Sequence, residues 1–226
     1  MKHFYTCIFF LSLFIVGVSY YNSLPREPFV VAEDKNIVLL GDSILKNNNY
    51  VKNGKGVDDL LIERNRGVTT SLAIDNSTIV DVYKQISSIP IELNTSNTTV
   101  FLSIGGNNLL QNYVGHSDNN LNDKQYLTTI FAAYRKLART IREKMTLANI
   151  VLLDIYFPQS IKYKQYHDLI TDWNEMVYNY AKEQQNGIAG VIKISGVLTD
   201  KGDFTLGIEP SDQGGAKIVE LIANYR

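Results

Sequence analysis

Three short stretches carry residue types suited to acyl chemistry. Gly41-Asp42-Ser43 closes an apolar run and sets a serine hydroxyl where the backbone must turn. If a helix starts there, its free amides and dipole favour an anion developing beside Ser43. Ser103-Ile104-Gly105-Gly106-Asn107-Asn108 closes a second apolar run. Its two glycines permit a sharp turn, after which the Asn107 amide faces the same mouth as Ser43. The third stretch, Leu206-Gly207-Ile208-Glu209-Pro210-Ser211, brings a carboxylate. Each is weak alone: Gly-Asp-Ser is ordinary turn chemistry, and Asn108 could simply cap the next segment. Two such strand ends in one parallel sheet favour a nucleophile and an amide donor over two unrelated turns.

The elements that position these residues follow from hydrophobic period. Short apolar runs at 36–40, 68–74, 99–104, 150–155 and 191–194 suit buried strands. Between them, Leu127, Ile130, Phe131, Tyr134, Leu137, Ala138, Ile141 and Met145 recur at helical spacing. So do Leu169, Ile170, Trp173, Met176, Val177 and Tyr180, and a last helix starts with Ser211 as N-cap. Alternating strands and helices predict a parallel sheet covered on both faces. Ligands of such sheets lie at the carboxyl ends of the strands, where Ser43, Asn76 and Asn107 all fall.

In these blocks the chain resembles the GDSL esterases and lipases, also called SGNH hydrolases. Gly41-Asp42-Ser43 matches the first block and Gly105-Gly106-Asn107-Asn108 the third. Ala73-Ile74-Asp75-Asn76-Ser77-Thr78 is the best match to the second, with Asn76 at the usual glycine; Gly67, the alternative, precedes a strand. The resemblance implies a three-layer α/β/α sandwich around a central parallel, roughly five-stranded, flavodoxin-like sheet. It implies Ser43 as nucleophile, and an oxyanion hole of the Ser43 amide, the Asn76 amide and the Asn107 side chain. Asn tolerates positive φ better than most residues, so the Asn76 amide can still point inward. Asp42 and Gly105 support the two turns.

The departure lies in the last block, where the family usually has Asp-x-x-His-Pro. Here Leu206 stands at the aspartate position and Glu209 at the histidine position. A free carboxylate is about two pH units less basic than imidazole, a gap that burial can close. Leu206 removes a like charge and is expected to add apolar surroundings. Asp203 is a further carboxylate, able to share a proton with Glu209 if the loop folds back. The sequence has three histidines: His3, His116 in a polar loop, and His167 opening a helix. None is a good substitute base. The expected function is a serine esterase acting on small acyl or acetyl esters, of lipid or carbohydrate, through Ser43 and Glu209. The alternatives are an inactive binding protein on the same scaffold and an interaction module whose strand-end residues only form turns. No metal or organic cofactor is implied.

Length and composition set the frame. The sequence has 226 residues with a formal charge of −1, which suits one domain with a sizeable core and offers no field for nucleic acid. Met1-Lys2-His3 and the apolar run Phe4 to Val18 look like a secretory signal over residues 1–19, or an N-terminal membrane anchor. A linker at 20–35 and a hydrolase-like domain at 36–226 follow. Cys7 is the single cysteine, so export would leave a cysteine-free chain. The expected location is periplasmic or secreted. Asn76, Asn94 and Asn97 open N-x-S/T triplets, which matter only in a glycosylating host. Residues 111–123 and the region Tyr163 to Tyr166 are expected to shape the substrate mouth.

Overall fold

The computed structural model describes residues 34–113 and 123–225. The targeting segment, most of the linker, Cys7 and His116 lie outside the described residues. Among the described residues, no helix is long and apolar enough to cross a membrane.

Five parallel strands build the sheet: β1 (Asn36–Gly41), β2 (Thr69–Ser71), β3 (Thr98–Ser103), β4 (Asn149–Leu153) and β5 (Ile188–Ile192). Their spatial order is β2-β1-β3-β4-β5, so Ser43 and Asn107 follow the adjacent strands β1 and β3. The helices are α1 (Val57–Arg64), α2 (Ile79–Ser87), α3 (Gly106–Tyr113), α4 (Asp123–Lys144), α5 (His167–Lys182) and α6 (Asp212–Ala223). Strand side chains alternate between faces and so make two cores. Val38, Leu40, Val100, Leu102, Ile150 and Leu152 pack with α2, α4 and α5. Ile37, Leu39, Phe101, Val151, Leu153 and Ile192 pack with α1 and α6 on the other face. The result is the expected three-layer α/β/α sandwich.

The predicted helical stripes lie in α4, with Met145 just past its end, and in α5, and are buried apart from the partly covered Met176. Ser211 caps α6 by accepting the Gly214 amide at 3.2 Å. Two strand boundaries move. β5 begins at Ile188 rather than 191, and Ile194 falls in a short 3-10 turn; only the inner end of this edge strand is buried, so hydrophobicity marks that end alone. β2 shrinks to Thr69–Ser71, although the Leu72 and Ile74 amides still bond to Leu39 and Gly41 carbonyls. Ser43 does not start a helix. It lies in a single turn closed by Leu45 and Lys46 amides on the Asp42 carbonyl, so no helix dipole is focused on it.

Candidate active site

The turn carrying Ser43 is fixed from three sides. Gly41 has φ 141°, and a Cβ there would lie 1.8 Å from the Ser103 carbonyl oxygen, so only glycine fits. From α2, the buried Gln85 accepts the Gly41 amide at 2.8 Å and donates to the Gly41 carbonyl at 2.8 Å. Asp42 is buried and accepts the Ile44 amide at 3.1 Å. Burial pushes its carboxyl up to about 8; the Ile44 bond opposes this and the Glu209 charge adds to it.

The β3 end is built on Gly105, whose φ of 121° and contact with Trp173 exclude a side chain: a Cβ would lie 2.4 Å from the indole ring. Asn107 then sits in the first turn of α3 and donates from Nδ2 to the Ser77 carbonyl at 2.9 Å. A side-chain amide has two such protons, so Nδ2 keeps a second donor, and Asn107 lines the cleft. Asn108 caps the neighbouring helix, accepting the Ile79 amide of α2 at 3.1 Å. The second-block loop lies alongside. Asn76 has the expected left-handed backbone, φ 62°, but its side chain is exposed and bonds to Tyr50. Asn76 does not line the cleft.

Glu209 arrives on a small hairpin, β6 (Phe204–Thr205) paired antiparallel with β7 (Glu209–Pro210). Its backbone is held on both sides. Tyr156 donates its hydroxyl to the Ile208 carbonyl at 2.6 Å, and Asn47 Nδ2 donates to the Pro210 carbonyl at 3.0 Å. The side chain is half-buried, and Oε2 is buried without a well-aligned partner. Burial raises the Glu209 pKa above its ordinary value, a hydrogen bond from the Ser43 hydroxyl lowers it, and the Asp75 charge raises it. Ser43 and Glu209 are therefore neighbours at one cleft.

Ser43, Asn107, Glu209 and Asp42 line one cleft of about 510 Å³, its open mouth included. Ile44, Leu109, Leu110, Ile155 and Ile170 supply apolar walls, and Tyr166 joins them from the region expected at the mouth. Apolar walls around a few convergent polar groups are the usual makeup of a small-molecule site.

Two expectations about the last block change. Asp203 does not share a proton with Glu209. Its carboxylate accepts the Thr199 and Asp200 amides and Gln213 Nε2, and pairs with Lys217 at 2.8 Å; together these outweigh burial and hold it below its ordinary range. Leu206 gives Glu209 no apolar cover: it is 76% exposed, at φ 52° in the hairpin turn. That cover comes from Tyr156, Ile208 and Ile44. His167 opens α5 as expected, its ring nitrogen 3.0 Å from the Pro158 carbonyl. The sequence reading missed Asn47, Gln85, Tyr50 and Asp75. Among the described residues, no group of three or more His, Cys, Asp or Glu side chains is arranged to hold a metal ion.

The family model for GDSL-like Lipase/Acylhydrolase matches residues 37–212, from β1 to the start of α6. The chain belongs to this family. The GDSL-like match spans every residue placed around the cleft and supports an ester hydrolase. No curated protein matches the chain in sequence. Solved structures share the GDSL-like fold at low identity. The phospholipase A1 of Streptomyces albidoflavus NA297 aligns with TM-score 0.61 and 14% identity, over 85% of this chain and 100% of that one. An extracellular lipase of Streptomyces rimosus aligns with TM-score 0.62 and 15% identity, over 85% and 100%. The lipase Lip_vut3 from a goat rumen metagenome aligns with TM-score 0.64 and 16% identity, over 84% and 96%.

Proposed function

We propose that this ester hydrolase is a serine esterase in which Glu209 does the work of the family's imidazole. The observation that carries this reading is the contact between the Ser43 hydroxyl and a half-buried carboxylate with one unpartnered oxygen. Glu209 takes the proton as Ser43 Oγ attacks the ester carbonyl, and returns it to the leaving alcohol. Water, deprotonated by the same carboxylate, then releases the acid from the acyl-enzyme. The oxyanion is held by the Ser43 amide and the second Asn107 Nδ2 proton. Apolar walls on a short cleft support small acyl or acetyl esters as substrates, with a lipid or glycan as the alcohol part. Residues 1–19 export the protein, or anchor it to the membrane through residues 4–18.

Hydrolysis of p-nitrophenyl acetate and butyrate across pH tests the pair. Ser43→Ala and Glu209→Gln should each lower kcat by about 10³-fold or more. A base must be deprotonated, so wild-type activity should fall on the acid side through the raised Glu209 pKa, above pH 4.5. Activity surviving both substitutions rejects the assignment, and a folded wild type inert on every ester points to a binding protein.

A further inference from the structure

Two segments that touch at the cleft mouth each put a large apolar side chain into solvent. Ile161 opens a 3-10 turn (Ile161–Tyr166) and is 77% exposed, and Leu206 lies at the tip of the β6–β7 hairpin, equally bare. The segments meet closely: the Ser160 amide bonds the Gly207 carbonyl at 3.4 Å, and a Cβ on Gly207 would lie 2.7 Å from Ser160 Cβ. Both belong to the mouth, because Pro158 and Tyr166 on one side and Ile208 and Glu209 on the other line the cleft. Single exposed apolar residues are ordinary, but Leu206 also carries strain, with φ 52° in a turn that suits asparagine better. Strain kept in an exposed leucine beside a site points to a use for its side chain.

The charges around this pair have one sign. Lys162 and Lys164 are exposed, and neither joins an ion pair among the described residues. Residues 159–167 and 204–208 contain no Asp or Glu. Tyr163 stands between the lysines, its ring 5.2 Å from Lys162 Nζ. Apolar tips flanked by lysines and an amphipathic ring match the boundary of a bilayer, where side chains enter the acyl layer and ammonium groups meet phosphate.

We propose that the rim formed by residues 160–164 and 205–207 docks on an anionic lipid surface, with Ile161 and Leu206 in the acyl layer and Lys162 and Lys164 on lipid phosphates. This rests on the reading of the cleft as an esterase site, and within it selects a lipid over a glycan as the alcohol part. A glycan would leave both apolar tips in water. Docking sets the mouth against the membrane, so an ester carried there reaches Ser43 without crossing the solvent.

The test attaches a nitrobenzoxadiazole dye, which fluoresces bluer in an apolar setting, to the full chain with Cys7→Ser. It is placed at Ile161→Cys, at Leu206→Cys, or at Ile91→Cys, an exposed control ahead of β3 at the opposite end of the sheet. Vesicles of phosphatidylglycerol with phosphatidylcholine should shift the dye at 161 and 206 and leave that at 91 unmoved. Phosphatidylcholine alone, or Lys162→Gln with Lys164→Gln, should raise the lipid needed for half the shift about 10- to 30-fold. Ile161→Ser with Leu206→Asn should slow hydrolysis of hexadecyl acetate held in the anionic vesicles by about 10-fold, with a much smaller loss on soluble p-nitrophenyl acetate. A shift at 91 alone, or none anywhere while the soluble ester is hydrolysed normally, overturns the docking and spares the esterase reading. A shift that appears without lipid and grows with protein concentration makes the rim a contact between copies, and overturns it too. Docking with neither ester hydrolysed upholds the lipid surface and rejects the esterase reading.

Discussion

Asn47 Nδ2 donates to the Pro210 carbonyl at 3.0 Å, fastening the segment that bears Glu209 to the turn that follows Ser43. The same side chain accepts the Val57 amide at 2.8 Å and is wholly buried. Asn47→Ala orphans a buried carbonyl and a buried amide, a loss of about 2–4 kcal/mol. The urea midpoint should drop, and kcat should fall more than KM rises because the loop wanders. Asn47→Asp keeps the acceptor but turns a repelling oxygen toward Pro210, so it should do no better than alanine.

Asp42 predicts a stability that depends on pH. Its carboxyl stands at about 8 in the fold against 3.8 for a free aspartate. Between these values the folded chain holds a proton that the unfolded chain has released, so stability is full below about pH 4 and is lost as pH rises through 8. The raised Glu209 acts with the same sign. Asp42→Asn retains an acceptor for the Ile44 amide and does not titrate. It should match wild type in thermal unfolding near pH 4 and exceed it at pH 9 by on the order of a few kcal/mol. Equal melting at both pH values would reject the raised Asp42.

Gly105 predicts a steric failure. Its φ of 121° is one that side chains rarely adopt, and the Trp173 ring occupies the place of a Cβ. Gly105→Ala should cost about 2–4 kcal/mol and displace Asn107, lowering kcat. Trp173 is the single tryptophan in the sequence, so a change in its fluorescence reports the contact directly.

Leu206 predicts a gain. Leu206 and Gly207 both have positive φ, and the Ile208 amide bonds back to the Thr205 carbonyl at 3.2 Å, a primed turn that normally takes asparagine then glycine. A leucine in left-handed backbone is strained, and its side chain faces solvent. Leu206→Asn should stabilise the fold by about 0.5–1 kcal/mol in urea unfolding, with esterase activity retained. A loss of stability would show that Leu206 is at ease where it stands.

What the sequence disclosed depended on range. The stripe from Leu127 to Met145 repeats within one helix, and Gly41-Asp42-Ser43 within one turn, so both were legible. Ser43 and Asn107 share one cleft because strand ends of a parallel sheet converge, and Glu209 reaches it on the β6–β7 hairpin. Asn47 was invisible as more than part of an asparagine run, since its partner lies 163 positions away. Gln85 looks like any polar helix residue until its amide is seen against Gly41. Helix α1 escaped notice because it buries only Val57, Asp58 and Leu61 along eight residues, too few for a period to register. Leu206 is apolar by type yet exposed, because the hairpin turn faces it outward.

Gln85 makes with Gly41 the two bonds that a peptide of an adjoining strand would make, so a helix side chain completes the sheet at its last residue. The strand end that leads into the turn bearing Ser43 therefore gains two of its bonds only when α2 is seated. Assembly and competence arrive together: a half-formed molecule, with that helix adrift, offers no finished nucleophile turn to an ester it happens to meet.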